Sequence, residues 1–431
     1  MKLEFHGAAG EVGRSCIELS LKDGDRFLFD VGIKFTEGGF LIPEKVLDIK
    51  EVDGVFLSHA HLDHSGGLPL FEHKDLKGPI FCTRQTMRIT EIMLKDSYKI
   101  ARIKNLHPAY NKTDLKEVQK DTKFVRYDKW YKHRNIRFMF LNAGHIPGSA
   151  MVLVEAEGRR ILYTGDINTR KSELMFNCIP DDELIDNPVD IMISESTYGD
   201  RDLPDRLELE KKFLKSVEKT IKLGGSVLIP TFSLGRAQEI LLILSKKDWP
   251  CKIYFDGMCK KLTRSILSTP SKYVDHKDIL SKMFYETVEW VGSNKRRKDA
   301  VTKQGIYLTT SGMIQGGPVL QYLSEMWHNK KDKITLMGFQ CKGTNGRHLL
   351  EDGYVYIDGW KTYVKCDVEK YDFSGHADKK GIMNLVKKVN PKFVFFQHGD
   401  DDAVSNLKKW ADKNISGKAF APKVRDTFEL D

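Results

Sequence analysis

At 431 residues the chain exceeds the usual size of one domain, so two compact units are expected. Apolar residues make up 41% of it, but no apolar run reaches membrane-spanning length and the start MKLEFHGAAG has no signal-peptide pattern; the expectation is a soluble, cytoplasmic protein with no membrane partner. Seven cysteines scattered from Cys16 to Cys366 without a Cys-x-x-Cys pair fit neither a disulfide framework nor a zinc ribbon, and the formal charge of +9 inclines the surface toward polyanions.

In chain order, Lys2 to Phe5, Ser15 to Leu21, Arg26 to Asp30 and Gly54 to Leu57 have strand character between Gly- and Asp-rich turns. Glu91 to Ile103 reads as a helix. Strands return at Ile136 to Leu141, Met151 to Glu155, Arg160 to Thr164 and Asp190 to Ser194. From about Leu207 the pattern becomes strand, loop and helix in turn: Ser226 to Pro230, then a loop, then a helix Arg236 to Leu244; Lys252 to Phe255, then a helix from Lys260; Gly305 to Thr309, then the Gly316-Gly317-Pro318 turn and a helix. Repeated units of this kind predict a parallel, doubly wound sheet with ligands at the C-terminal ends of its strands. Lys392 to Phe396 is a further strand, ending at His398. The basic runs Lys295-Arg296-Arg297-Lys298 and Lys330-Lys331 could follow a phosphate backbone, although solvated surface charge explains each as well.

The run His59-Ala-His61-Leu-Asp63-His64 puts four metal-capable side chains into six residues, after the apolar Val55 to Leu57 and before Ser65-Gly66-Gly67. That places it on a loop at a strand's end, where active sites are commonly built. Imidazole and carboxylate without thiolate suit a zinc-like ion in a hydrolytic site that keeps a position open for water. His145, between glycines in Gly144-His145-Ile146-Pro147-Gly148, and Asp166, in Tyr163-Thr164-Gly165-Asp166, also follow strands. Two divalent ions about 3.5 to 4 Å apart need a bridging carboxylate and about three further ligands each. His59, His61 and His145 could hold one, and Asp63, His64 and His398 the other, with Asp166 between them.

Asp30, the His59 to His64 run, His145 and Asp166 resemble, in order, the four signature motifs of the metallo-β-lactamase fold. Glu195 in Ser194-Glu195-Ser196-Thr197-Tyr198-Gly199, His376 in Phe373-Ser374-Gly375-His376-Ala377-Asp378 and His398 in Gln397-His398-Gly399-Asp400 are similar to the three extra motifs of its β-CASP branch. The chain resembles prokaryotic nucleases similar to the cleavage and polyadenylation specificity endonuclease.

That resemblance implies an α/β fold, a metallo-β-lactamase αββα sandwich with an inserted doubly wound β-CASP domain. The division expected is a sandwich part over 1–204, the insertion over 205–365 and the rest of the sandwich over 366–431. It also implies a zinc-dependent ribonuclease with two Zn²⁺ per chain, acting on single-stranded RNA as endonuclease, 5′-3′ exonuclease or both. His376, Glu195 and Asp63 would be its catalytic side chains. Asp30 would orient a ligand histidine from behind, and His376, polarised by Glu195, would protonate the departing 3′ oxygen or stabilise the scissile phosphate. Ser233, Arg236, Ser311 and Gly312, near two helix starts of the insertion, would bind RNA phosphate. Asp400 stands where relatives often carry Glu. His398 stands where the DNA-directed branch typically has valine, which favours RNA. The rivals are a thioester, lactone or lactam hydrolase on the same fold and a non-catalytic RNA-binding scaffold; a homodimer and RNA-processing protein partners are compatible with the sequence.

Overall fold

Strands such as Val227–Pro230 and Ile191–Glu195 are apolar along most of their length and wholly buried, because both faces of their sheets are covered. The computed structural model describes residues 1–36, 39–46, 48–70, 76–103, 110–180 and 182–430. Two seven-stranded sheets stack face to face. The first runs Thr427–Glu429, Lys2–Gly7, Cys16–Ser20, Arg26–Phe29, Gly54–Phe56, Ile80–Thr83, Thr122–Val125; the second runs Lys418–Phe420, Phe393–Gln397, Ile191–Glu195, Arg159–Tyr163, Ala150–Ala156, Ile136–Asn142, Tyr131–His133. Their shared core is aromatic, with Phe5, Phe27, Phe29 and Phe56 from one sheet against Phe138, Phe140, Tyr163 and Phe395 from the other. Helices Arg84–Ile103 and Lys112–Lys120 cover the outside of the first sheet, and Lys379–Val389 and Asp401–Asn414 the outside of the second.

Between Ile191–Glu195 and its sheet neighbour Phe393–Gln397 the chain departs to build a third sheet, six strands in the order Glu289–Val291, Lys252–Asp256, Gly305–Thr309, Val227–Pro230, Lys333–Met337, Asp367–Tyr371. Every pairing in it is parallel, with separate apolar cores on its two faces, as the strand-loop-helix repeats predict. The edge strand Asp367–Tyr371 pairs in register with Lys333–Met337 and so lies beyond residue 365, where the insertion is expected to end. Its sequence, DVEKY, is too charged to announce a sheet strand.

Two more departures from expectation have local causes. The helix expected from Glu91 starts at Arg84, directly after the strand Ile80–Thr83. Its first turns bury Gln85, Thr86 and Thr90, polar residues that hide the apolar period. The hairpin Tyr354–Ile357/Trp360–Tyr363 has no counterpart in the expected elements. Among the described residues no helix is long and apolar enough to cross a membrane.

Candidate active site

The loops after five strands of the sandwich meet at one end of the two stacked sheets. Asp30 follows Arg26–Phe29, His59 to His64 follow Gly54–Phe56, Asp166 follows Arg159–Tyr163, and His398 follows Phe393–Gln397; His145 lies on the connection between Ile136–Asn142 and Ala150–Ala156. A backbone bond from Ala150 N–H to Ser58 O, 2.9 Å long, ties the two sheets together there. Gly165, at φ 51°, brings the Asp166 loop against this edge: a Cβ on it would stand 2.7 Å from Ser58 Cβ. Asp30 and His398 take φ values of 58° and 52°, a conformation uncommon for residues other than glycine.

The Asp166 carboxylate is the hub. Its Oδ2 stands 3.5 Å from His59 Nε2, 3.4 Å from His64 Nε2 and 3.8 Å from His145 Nε2, and its Oδ1 stands 3.3 Å from His398 Nδ1. On one side His145 Nε2 approaches His61 Nδ1 at 3.2 Å. On the other, His398 Nε2 lies 3.4 Å from Asp63 Oδ2 and 3.3 Å from His64 Nε2. Two donor groups result, His59/His61/His145/Asp166 and Asp63/His64/His398, each with its donor atoms within 4.8 Å of one another. The structure thus brings together the seven side chains named as candidate donors in the sequence.

Hydrogen bonds behind the imidazoles fix which nitrogen faces the centre. His64 donates its Nδ1–H to Asp30 Oδ2 at 2.7 Å, and His145 donates its Nδ1–H to the Gly375 carbonyl at 2.7 Å. His59 Nδ1 meets Ser58 Oγ at 3.0 Å, whose own proton goes to Asp30 Oδ2 at 2.6 Å. Each of these histidines therefore turns an Nε2 lone pair inward, the arrangement metal-binding imidazoles use. Asp30 accepts further bonds from Ser58 N–H (2.7 Å) and the Tyr163 hydroxyl (2.7 Å), so it reaches His64 directly and His59 through Ser58.

The residues fit a bound metal ion. His59 Nε2 and Asp166 Oδ1 are sealed from solvent with no hydrogen-bond partner, a costly state that a coordinated ion would relieve. Burial, with the His64 charge beside it, pushes His59 well down; burial likewise pushes His145 well down and His61 down to about 4. Neutral imidazole is the form that coordinates. Against the opposing effect of burial, the surrounding histidines, His398 foremost, hold the Asp166 and Asp63 carboxyls below the usual carboxylate range. At His64 burial favours the neutral ring, but Asp166 and Asp30 outweigh it and push the imidazole well up. That proton must leave for His64 to coordinate.

His376 closes the open side. Its Nδ1 lies 3.1 Å from Glu195 Oε2 and 3.9 Å from Asp166 Oδ2, and its ring centroid is 4.4 Å from that of His145. Glu195 is fully buried, its Oε1 also taking the Ile167 N–H at 2.6 Å. Burial opposes charge on His376, but Glu195 and then Asp166 overcome it and push the imidazole up to about 9. Its side chain keeps 21% exposure, so it is reachable from the cleft.

The insertion supplies the facing wall. The loop before helix Arg236–Leu244 abuts the site: a Cβ on Gly235 would stand 3.0 Å from Ile146 Cγ2, next to His145. The Arg236 guanidinium sits beside Gly375, 3.5 Å from where a Cβ would be, and makes no ion pair with a described residue. Burial, then the neighbouring Arg206, lower its pKa to about 10. Ser233 lies in the same loop. Ser311 and Gly312 follow the adjacent parallel strand, and a Cβ on Gly312 would come within 2.9 Å of Phe232 N, so the two loops are in contact.

Sequence reasoning missed Ser58, Tyr163 and Thr197, whose Oγ1 bonds the His398 carbonyl at 3.2 Å, and the Gly375 carbonyl. Ser58 and Tyr163 adjoin recognised motifs, and adjacency was their only signal. Of the basic runs, Arg297 is committed to the buried Asp256, with Nε 2.5 Å from Oδ2.

Three family models match the chain: the metallo-beta-lactamase superfamily over 9–231, the Beta-Casp domain over 237–349, and the Zn-dependent metallo-hydrolase RNA specificity domain over 363–422. The chain belongs to the metallo-β-lactamase superfamily, in the β-CASP branch whose second domain is inserted into the first. A Methanocaldococcus jannaschii protein named Probable RNase MJ4 is 37% identical with all of both chains covered, and RNase aCSPSF2 of Saccharolobus solfataricus is 32% identical over 99% of this chain and 85% of its own length. Cleavage and polyadenylation specificity factor subunit 3 of Dictyostelium discoideum is 29% identical over 94% of this chain, which spans 54% of that protein. A crystal structure of a protein of unknown function from Enterococcus faecalis V583 shares the fold over 100% of this chain, with a TM-score of 0.63 at 13% identity.

Proposed function

We propose that the protein is a zinc-dependent ribonuclease that hydrolyses phosphodiester bonds of single-stranded RNA, as an endonuclease, a 5′-3′ exonuclease or both. One observation carries the reading: two donor triads from distant parts of the chain converge on the Asp166 carboxylate, in a cleft faced by Arg236. His59, His61 and His145 would hold one zinc ion and Asp63, His64 and His398 the other, with Asp166 shared. Bound there, the pair supplies Lewis acidity that activates water and neutralises charge on the phosphate.

The chain's own groups do the rest. Asp30, Ser58 and the Gly375 carbonyl keep the imidazoles in the tautomer whose lone pairs face the centre. Arg236 takes a non-bridging phosphate oxygen, and Ser233, Ser311 and Gly312 hold neighbouring phosphates on the loops beside it. As water attacks phosphorus and the bond to the 3′ oxygen breaks, His376 gives its Nε2 proton to that oxygen while Glu195 stabilises the imidazolium from Nδ1. The products are a 5′-phosphate and a 3′-hydroxyl. Cytoplasmic residence belongs to the same proposal and is supported by seven cysteines scattered along the chain with no Cys-x-x-Cys pair.

The test is a long RNA carrying a different label at each end, incubated with metal-loaded protein, with and without chelator, and with His59→Ala. Metal-dependent cleavage that His59→Ala loses while still binding RNA supports the proposal. RNA left intact by fully loaded protein overturns it, and equally low activity in both forms points to a scaffold.

A further inference from the structure

Away from the cleft, helices Arg84–Ile103 and Lys112–Lys120 border an open groove of about 750 Å³ lined by Lys95, Lys99, Arg102, Lys112 and Lys116. Tyr98 and Leu115 also line it, and among the described residues no acidic side chain does. The cations are spaced at i, i+4 and i+7 on the first helix and at i and i+4 on the second, so each helix presents one basic stripe to the shared space. Lys95 pairs with Glu91 and Lys99 lies near Asp96, outside the groove. Arg102, Lys112 and Lys116 form no ion pair with a described residue. Both helices thus turn exposed cations toward one another with no acidic side chain among the described lining residues, an arrangement that an anion relieves.

The groove is joined to the donor loop. Tyr98, Leu94, Tyr110 and Leu115 pack with Leu62, the residue between His61 and Asp63. An extended anion lying here would therefore continue from the metal centre across the outside of the same loop.

We propose that this groove binds the sugar-phosphate backbone of the RNA strand beyond the nucleotides held at the metal centre, a site on the sandwich separate from the phosphate loops of the insertion. The inference rests on the ribonuclease reading for the identity of the strand. At 1.5 Å of rise per residue, Lys95 and Arg102 are about 10 Å apart along their helix, far enough to face successive phosphates. The Tyr98 ring offers a face on which a base could stack, an interaction that tolerates any sequence.

The test measures binding, not turnover. Labelled RNA, one oligonucleotide short enough to occupy only the centre and one several times longer, is titrated with the full chain in chelator at several salt concentrations. The variant Lys99→Ala/Arg102→Ala/Lys112→Ala/Lys116→Ala replaces exposed helix residues with the best helix former. The milder Arg102→Gln/Lys116→Gln serves if the quadruple variant melts early. Expected for the quadruple variant are a loss of affinity for the long strand of about tenfold or more and a fall of about 3 in the slope of log K against log salt, with short-strand binding unchanged. Long-strand affinity equal to wild type overturns the groove while leaving RNA cleavage by wild type standing. Equal losses for both lengths also overturn it, since the effect would then lie at the centre. If wild type cleaves no RNA yet binds the long strand through these four residues, the groove stands and the ribonuclease reading falls. If wild type binds neither strand, both fall.

Discussion

The Asp166 centre and the cationic groove are both concentrations of charge, but they are built in opposite ways. At the centre the charged groups are buried or half-buried and most have a fixed partner from a rigid strand end: Asp30 accepts from Ser58, Tyr163 and His64, and Glu195 from Ile167 and His376. In the groove exposed side chains on two helices share one sign, and no acid stands among the described lining residues. The contrast teaches what each can do. Buried, over-determined groups can place a cation or a proton within tenths of an ångström. Long, solvated lysines hold a flexible polyanion loosely and release it again, which suits a strand that must move.

The comparison can be broken at several points. Removing metal with a chelator is the largest perturbation: RNA cleavage should disappear and return on adding zinc, followed by end-labelled RNA on gels, while long-strand binding through the groove persists. Next, His376→Ala should lower kcat by about 10² to 10⁴ with metal content unchanged, the range for loss of a general acid; a variant with normal kcat would remove His376 from the chemistry. Ser58→Ala, which cuts the link from Asp30 to His59, should weaken metal affinity by about 10- to 100-fold, read by metal titration, with little change in RNA binding.

A smaller effect sharpens the role of Glu195. With His376 pushed up to about 9, the imidazolium donor is present below that pH and lost above it, so kcat should fall as pH rises through about 9. Glu195→Gln removes the largest influence favouring the charged ring, so the alkaline limb should move to lower pH. A pH–rate profile with an unmoved limb would show that another group titrates there.

Much of the centre was legible because candidate donors at strand ends leave local marks: His59 to His64 after an apolar run, His145 between glycines, Asp166 after Tyr163-Thr164-Gly165. What supports them was not, because Ser58, Tyr163 and Thr197 are ordinary residues whose hydroxyls matter only through contacts such as that of Tyr163 with Asp30, 133 positions away in sequence. The groove escaped notice for a related reason. Its cations come three or four residues apart on two helices, so no basic run appears, whereas Lys295 to Lys298 does form a run and yet spends Arg297 on Asp256. The charged edge strand Asp367–Tyr371 and the polar first turns of the helix from Arg84 were hidden because neighbours in space, not their own sequence, set their burial.

The sequence by itself determined the sandwich, the inserted parallel sheet and the roster of candidate metal donors, since strand periodicity and short motifs are local properties of the chain. Only the tertiary structure decided which nitrogen of each histidine faces Asp166, where the insertion meets the sandwich, and that five scattered cations share one groove. Those are relations between residues far apart along the chain, fixed by the packing of whole sheets and helices, and no window of sequence contains them.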